Sequence, residues 1–350
     1  MKALIAMSGG VDSSVAALLT KQKMESIGCT MRLYSPSDDT YNAHSSCCSL
    51  EDVEDARSVC YRLGIPYYVF NFSSDFEEKI IKKFVNSYIQ GVTPNPCIDC
   101  NRYMKFDKLF DRMKQLECNY VVTGHYARIE QKDGKFVLKK ALDNTKDQSY
   151  VLYSMTQYEL SHTLFPLGNL RKSEVRELAE KNGFVNAKKK DSQDICFVPD
   201  KDYASFIEKY SGKVSTGNFI DKSGKILGAH KGIIHYTIGQ RKGLGISSSS
   251  PLFVCDINAK NNTVTLGQSE DLFSIQAKVS DFHLISGESL KDEIKCKVKT
   301  RYRQKEQDAA VYPTEYGAEI VFDTPQRAIT PGQAAVLYDG DIVLGGGVII

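Results

Sequence analysis

The sequence predicts an α/β fold: a Rossmann-like parallel sheet followed by small β domains, the last of them a β-barrel. Three observations predict it. Near the start, apolar residues 3–7 read as a buried strand that runs at once into a Ser/Gly turn and a helical pattern from Val15 to Lys23. Up to about Thr123, short apolar runs alternate with amphipathic stripes, as strands joined by crossover helices do. Beyond about Tyr203 almost no helical periodicity survives, and short apolar runs are broken by Gly, Asn, Asp and Pro. A length of 350 residues fits two or three domains, and the expected bounds are 1–205, 206–270 and 271–350.

The elements follow in order. Cys29–Leu33 reads as the second strand. Ser49, with Asp52 three residues on, opens a helix like a capping box. Its stripe runs through Val53, Ala56, Val59, Cys60 and Leu63, and Gly64 closes it. Tyr67–Phe72 is the next strand, Asp75–Gln90 and Tyr103–Leu116 are helices, and Asn119–Thr123 is a strand ending at Gly124-His125. Such sheets bind ligands at the carboxyl ends of their strands, where Ser8–Ser13, Met31 and Gly124 all fall. In the later part Val254–Ile257, Thr263–Leu266, Glu293–Tyr302, Ala318–Phe322 and Ala334–Tyr338 read as strands. Asp339-Gly340 is a strong hairpin turn into Ile342–Leu344.

Composition sets the bounds on class. Apolar residues make up 42% and charged residues 25%, ordinary globular values that allow a sizeable core and argue against disorder. A net charge of +2 means that any nucleic-acid surface comes from local clustering. Lys2 is followed by five apolar residues before Ser8, too few for a signal-peptide core. No apolar run approaches a membrane span, so the expectation is a cytoplasmic protein with no membrane partner. Ten cysteines in such a chain point to a reduced compartment, where thiols serve catalysis or metal binding.

Chemistry gathers at three places. At the first turn, Gly9 and Gly10 let the backbone approach an anion, Ser8, Ser13 and Ser14 offer hydroxyls, and a helix dipole points at the ligand. A Walker loop needs Lys then Ser or Thr after its glycines, and none is present. Asp12 either organises Mg²⁺ and phosphates or caps the helix. Around Thr93–Asn101, two prolines forbid regular structure and leave a stiff loop with Cys97 and Cys100 just before a helix, whose dipole lowers a thiol's pKa. Lys188–Lys190 precede Cys196, where they either favour its thiolate and attract phosphate or form a solvated face. Cys196, between Ile195 and Phe197, is alternatively a core thiol. Finally Lys295, Lys297, Lys299, Arg301, Arg303 and Lys305 recur at every second residue. In a strand they share one face, fit for a polyanion or for an edge that deters aggregation.

The run SGGxDS over Ser8–Ser13 resembles the PP-loop of ATP pyrophosphatases, which cleave ATP between its α and β phosphates. With it occur, in order, TPNPxxxCN around Cys100, Thr123-Gly124-His125-Tyr126, KDQSY at Lys146–Tyr150, KKKDSxxICF ending at Phe197, HYTIGQRKGLGI at His235–Ile246 and KTRYRQ at Lys299–Gln304. Together these resemble the tRNA-specific 2-thiouridylases, the MnmA/TrmU family, across essentially the whole chain. The resemblance implies a PP-loop domain of the adenine nucleotide α-hydrolase type and adenylation of the C2 oxygen of a wobble uridine by ATP with Mg²⁺. Sulfur would come from a persulfide on Cys196, supplied by a sulfur donor protein, and Cys100 would act as nucleophile or resolving thiol, forming a disulfide with its partner as sulfur is released. By matching position, Ala6, Met7, Ser8, Gly9, Gly10, Val11, Asp12, Ser13, Met31 and Gly124 would contact ATP. Asn95, Pro96 and Cys97 would contact the target base, and Lys146, Asp147, Gln148, Arg301 and Tyr302 the tRNA.

One departure stands out. Many family members have Asp where this chain has Cys97, and Asp99 or a water is expected to cover the acid/base role. Cys97 and Cys100 form CxxC, and with Cys47-Cys48 four thiolates are conceivable zinc or iron–sulfur ligands. Adjacent Cys47 and Cys48 suit one ion poorly, so no metal is expected. Reading one anticodon base implies flipping it, with Tyr103 or Tyr126 as stacking candidates. The rival readings are a PP-loop synthetase acting on a small metabolite, which needs neither thiol, and a non-catalytic RNA-binding protein.

Overall fold

The computed structural model describes residues 1–34, 49–190, 195–198 and 201–350. β1 (Lys2–Ala6), β2 (Glu25–Arg32), β3 (Tyr67–Asn71), β4 (Tyr120–Val122), and, after the hairpin of β5 (Ala127–Lys132) and β6 (Lys135–Lys140), the short β7 (Thr163–Leu164) account for the first part. Its sheet runs β3-β2-β1-β4-β7 with every pair parallel. β1 and β2 are buried because helices cover both faces. The helix after β1 spans Val11–Lys21, four residues earlier than its apolar stripe suggests. Gly10 is extended and Gly9 has φ +72°, so the chain turns sharply and helix can begin at Val11. Ser49 opens the Leu50–Leu63 helix with a complete capping box to Asp52.

Two expectations change here. The segment carrying Cys97 and Cys100 is helical, not a loop: Pro96–Asp99, Cys100–Lys108 and Leu109–Gln115 follow without a break. Pro96 sits at the first helical position, where a missing N–H costs nothing, and the Asn95 side chain accepts from the Cys97 N–H at 3.2 Å. From Cys100 to Lys108 the helix widens to i→i+5 turns, a rarity concentrated at functional positions. A helix, Tyr203–Ser211, also stands beyond Tyr203, capped by Asp202 accepting from the Ser205 N–H.

β8 (Gly217–Ile220), β9 (Ile226–His230), β10 (Phe253–Asn258) and β11 (Thr263–Gly267) form a separate sheet in the order β10-β11-β8-β9. β12 (Phe273–Leu284), β13 (Ile294–Lys299), β14 (Gln307–Thr314), β15 (Gly317–Arg327), β16 (Ala334–Asp339) and β17 (Ile342–Ile349) lie in the antiparallel order β12-β15-β14-β13-β16-β17. Pairing of β12 with β17 closes these six into a barrel, filled by Val279, Val311, Ile320, Phe322 and Leu337. The β5–β6 hairpin, from the first part of the chain, extends the barrel sheet at β17. Arg128 on that hairpin donates to Asp341 Oδ2 at 2.7 Å.

The basic strand is shorter than its alternation implies. β13 ends at Lys299, and Arg301–Gln304 form a turn, so the six cations do not share one strand face. Lys297 pairs with Asp308 (3.1 Å) and Lys299 with Glu306 (3.5 Å). These carboxylates remove the mutual repulsion that an unpaired row would carry.

Candidate functional site

The glycine turn lies at the carboxyl end of β1 and is closed by its own side chains. Ser13 Oγ donates to Gly10 O at 2.9 Å and accepts from the Ser8 N–H at 3.2 Å; Ser14 Oγ also donates to Gly10 O, at 3.0 Å. A Cβ on Gly9 would stand 2.4 Å from Asp52 O, so close approach and positive φ both demand glycine. Gly124, past β4, has its Cα against the start of the first helix: a Cβ there would stand 2.9 Å from Asp12 C and from Ser13 N. Met31 is buried at the end of β2. Thus three strand ends meet around one concave backbone turn with an exposed Ser8.

Around the turn stand two side chains that the sequence does not mark, Lys172 and Asn186, together with Tyr126 and Lys189. Lys172 Nζ lies 2.7 and 2.8 Å from the two Asp12 oxygens, and the Tyr126 hydroxyl donates to Asp12 Oδ1 at 2.8 Å. Tyr126 is buried, which removes it as a stacking platform for a base. Asn186, also buried, donates to Gly9 O (2.8 Å) and Ser14 Oγ (2.9 Å). Lys189 bridges Asp52 and Asp55 at 2.8 and 2.6 Å. Its pKa is raised: burial pulls it down, and the two carboxylates more than offset that. Lys189 therefore braces the segment and is not a cation devoted to Cys196. No local signal marks Lys172 or Asn186, because each meets the turn only through the tertiary fold.

The thiol helix is tied to this edge of the sheet. Lys105 Nζ lies 3.3 Å from His125 Nε2, and His125 Nδ1 lies 2.7 Å from Thr123 Oγ1. Burial, and then the Lys105 ammonium, hold the His125 pKa well below its usual value. An ammonium at Nε2 makes that nitrogen the acceptor, so the neutral ring carries its proton on Nδ1 and donates to Thr123. On the same helix Cys97 is exposed and Cys100 half-buried. Being three residues apart, they share a helical face.

Asp99 does not share it. Two residues on is about 200° of rotation, and Lys83 on the neighbouring helix donates to Asp99 Oδ1 at 2.7 Å. Burial raises the Asp99 pKa against the opposing pull of Lys83 and Arg102. The expectation that Asp99 replaces the missing carboxylate at position 97 therefore fails on direction. Tyr103 lies under Lys79, Lys83 and Arg102, 5.5, 5.8 and 5.5 Å from its centroid, a ring already flanked by cations.

Among the tRNA-facing expectations, two distant segments meet. The Tyr302 hydroxyl donates to Asp147 O at 2.9 Å, and the Tyr302 ring packs edge-on to Tyr150. Burial raises the Tyr302 pKa, with Asp147 and Cys97 adding to it, and the Pro96–Asp99 turn packs against the Ser149–Leu152 turn that carries Tyr150. Asp147 and Gln148 turn inward: Asp147 Oδ1 accepts from the Ala141 N–H (2.9 Å), and Gln148 Oε1 from the Tyr126 N–H (3.0 Å). Arg301 is likewise engaged, donating to Ala328 O (2.9 Å), Thr330 Oγ1 (2.6 Å) and Ile238 O (3.2 Å). These two side chains and the guanidinium build the surface, leaving Lys146 and Tyr302 at its edge. The barrel turn they reach also holds the Thr93–Pro96 approach, since Gln333 donates to Thr93 O at 2.8 Å.

Cys196 is half-buried. Its neighbour Phe197 is buried edge-on against Phe76 and Phe84. Cys100 and Cys196 border the same large apolar cluster. By contrast, Cys29 and Cys60 are core thiols, and burial pushes Cys60 up to about 12. Among the described residues no group of three or more Cys, His, Asp or Glu could hold a metal ion; Cys47 and Cys48 lie outside the described residues. No helix among the described residues is long and apolar enough to cross a membrane.

Comparison with known proteins decides the family. Three domain descriptions match in succession: "tRNA methyl transferase HUP domain" over residues 1–200, "tRNA methyl transferase PRC-barrel domain" over 204–268 and "Aminomethyltransferase beta-barrel domain" over 274–349. The chain is 50% identical to the tRNA-specific 2-thiouridylase MnmA of Clostridioides difficile (strain 630), covering 99% of this chain and 98% of that protein. It belongs to the tRNA-specific 2-thiouridylase family. Similar relatives occur in Acetivibrio thermocellus (50%, covering 99% of both chains) and Thermoanaerobacter sp. (strain X514) (51%, covering 99% of this chain and 97% of that one). Membership in the 2-thiouridylase family gives the glycine turn and the thiol helix one context.

Proposed function

We propose that the chain is an ATP-dependent tRNA-uridine 2-sulfurtransferase making 2-thiouridine at the wobble position. The observation that carries this is the contact between Lys105 and His125. It ties the helix bearing Cys100 to the end of β4, where Gly124 packs against the nucleotide turn. Adenylation and thiol chemistry must act on one carbon, so they need such a shared edge.

The backbone at Gly9–Val11 and the start of the Val11–Lys21 helix would cradle the phosphates of ATP. Ser8 is exposed to reach them, while Ser13 and Ser14 hold the turn's shape. Ala6, Met7, Met31 and Gly124 would line the nucleoside side. Mg²⁺ would lie against Asp12 and screen the phosphate charge. The C2 oxygen attacks the α-phosphorus, the bond to the β,γ-pyrophosphate breaks, and the N3 proton of the uracil passes to water. The outer sulfur of a Cys196 persulfide then attacks C2, and AMP departs with the former uridine oxygen. The Cys100 thiolate attacks the inner sulfur, the bond between the two persulfide sulfurs breaks, and the outer sulfur stays on C2 as the 2-thio group, leaving a Cys100–Cys196 disulfide that a thiol reductant reopens.

Cys97, with Asn95 and Pro96, would face the target base, and Lys146, Tyr302 and the Asp147–Gln148 and Arg301 backbone would face the tRNA. A sulfur donor protein, a cysteine desulfurase or relay protein, would load Cys196 in the cytoplasm. We read the chain as three units, 1–205, 206–270 and 271–350, the last making the tRNA-facing barrel. The test is mass spectrometry of nucleosides from tRNA incubated with enzyme, ATP and a sulfur donor. 2-Thiouridine is expected, with AMP and pyrophosphate formed alongside; AMP and pyrophosphate without thiolated tRNA would contradict the reading.

A further inference from the structure

Lys172 stands 160 residues from Asp12 in sequence, yet its ammonium spans both oxygens of that carboxylate. Its side chain is only 11% exposed and lies over the Tyr126 ring, 5.8 Å from the centroid. Its main chain is fixed separately. Lys172 is the first residue of the Lys172–Lys181 helix, and its N–H donates to Asp143 Oδ2 at 3.0 Å. The four-carbon stem can therefore swing its charge without disturbing the helix that carries it.

The pair is not needed to start the Val11–Lys21 helix. An acidic side chain in a first turn is favourable by itself, and the Ser13 and Ser14 hydroxyls already close the turn. Burying an ammonium against a carboxylate at the mouth of an anion-binding turn is costly unless the charge has a further use. Lys189 makes the contrast: its two carboxylates, Asp52 and Asp55, belong to the first turns of the neighbouring Leu50–Leu63 helix, and its side chain is 31% exposed.

We propose that Lys172 is a catalytic residue of the adenylation step, resting on Asp12 until ATP binds. Its ammonium then moves onto the β-phosphate, and Asp12 is released to hold Mg²⁺. As the C2 oxygen bonds to the α-phosphorus, the electron pair of the breaking bond goes to the bridging oxygen of pyrophosphate. Lys172 balances that charge as it forms. Nothing is oxidised or reduced, and Lys172 keeps its protons throughout. The inference rests on the proposed ATP reaction and names the side chain that recognises the leaving group.

The test compares equilibrium binding of Mg–ATP with that of AMP, which lacks the groups Lys172 would touch, in the unaltered chain, Lys172→Met and Lys172→Arg. For Lys172→Met, ATP is expected to bind roughly 10- to 100-fold more weakly, with AMP binding changed less than about threefold and most of the loss recovered by Lys172→Arg. An equal loss of ATP and AMP would make Lys172 a brace and overturn the inference, as would no loss of either. If Lys172→Met does not fold, acetylation of lysines in the unaltered chain, read by mass spectrometry with Mg–pyrophosphate as probe, decides. Added protection at Lys172 but not Lys189 supports the inference, and none overturns it. An unaltered chain that binds ATP no better than AMP would instead sink the ATP reading itself.

Discussion

The nucleotide turn and the thiol face are built in opposite ways. The turn is made by seven consecutive residues, Ser8–Ser14, whose hydrogen bonds close within the segment. Of the residues that reach it from afar, Asn186 buttresses its backbone, and Lys172 meets it at the Asp12 carboxylate. The thiol face is assembled from afar: Asn95–Cys100, Asp147–Tyr150, Tyr302 and the 328–333 turn meet only because the barrel is docked on the parallel sheet. A locally closed anion site keeps its shape whatever else moves. A composite face can change its fit to a large substrate through small shifts between its parts. The division suits a reaction with one small invariant substrate and one large one.

The sharpest way to separate the two regions is to remove each thiol. Cys100→Ser and Cys196→Ser are expected to lower tRNA thiolation by at least about a thousandfold, with ATP binding unchanged, as read by nucleoside mass spectrometry. Asp12→Asn should act on the other side of the division. It would cut pyrophosphate release by about a hundredfold while alkylation of Cys100 and Cys196 proceeds as before. Gly9→Ala tests how rigid the local turn is. With φ +72° and a Cβ 2.4 Å from Asp52 O, it should cost about 2–3 kcal/mol in urea unfolding. Tyr302→Phe removes one hydrogen bond joining two parts of the composite face. A loss of about 1 kcal/mol should weaken tRNA binding a few-fold and leave ATP affinity untouched.

The smallest effect is one of pH. Burial, and then Lys105, hold His125 below its usual titration range, and His230 and His283 are lowered chiefly by burial. Between the folded and unfolded titration points the unfolded chain binds more protons, so stability is full above about pH 6.5 and falls as pH drops below it. One such histidine contributes at most about 1.4 kcal/mol per pH unit. Urea midpoints measured from pH 7.5 to 5.5 should decline, and less steeply in His125→Gln.

Legibility in the sequence follows the same division. The turn, the Ser49–Asp52 cap and the parallel character of the first sheet are local or near-local, and the alternation of elements exposed them. The helix start at Val11 was hidden because the stripe from Val15 says nothing about a glycine turn's reach. The Pro96 helix was hidden because Pro reads as a breaker although it is tolerated at a first position. The charge alternation from Lys295 to Lys305 suggested one strand, but Thr300–Gln304 turn there, Thr300 donating to Gln304 Oε1 at 2.6 Å. β12 and β14 went unseen because exposed polar residues interrupt their apolar sides. The meeting of Tyr302 with Asp147 is a tertiary fact with no local signature.

The most direct measurement follows one oxygen atom. With tRNA carrying ¹⁸O at C2 of the wobble uridine, a single turnover with ATP and a sulfur donor should deliver that label to AMP. If the label emerges in water while AMP stays unlabelled, the nucleotide end does not prime the base that the thiol end attacks.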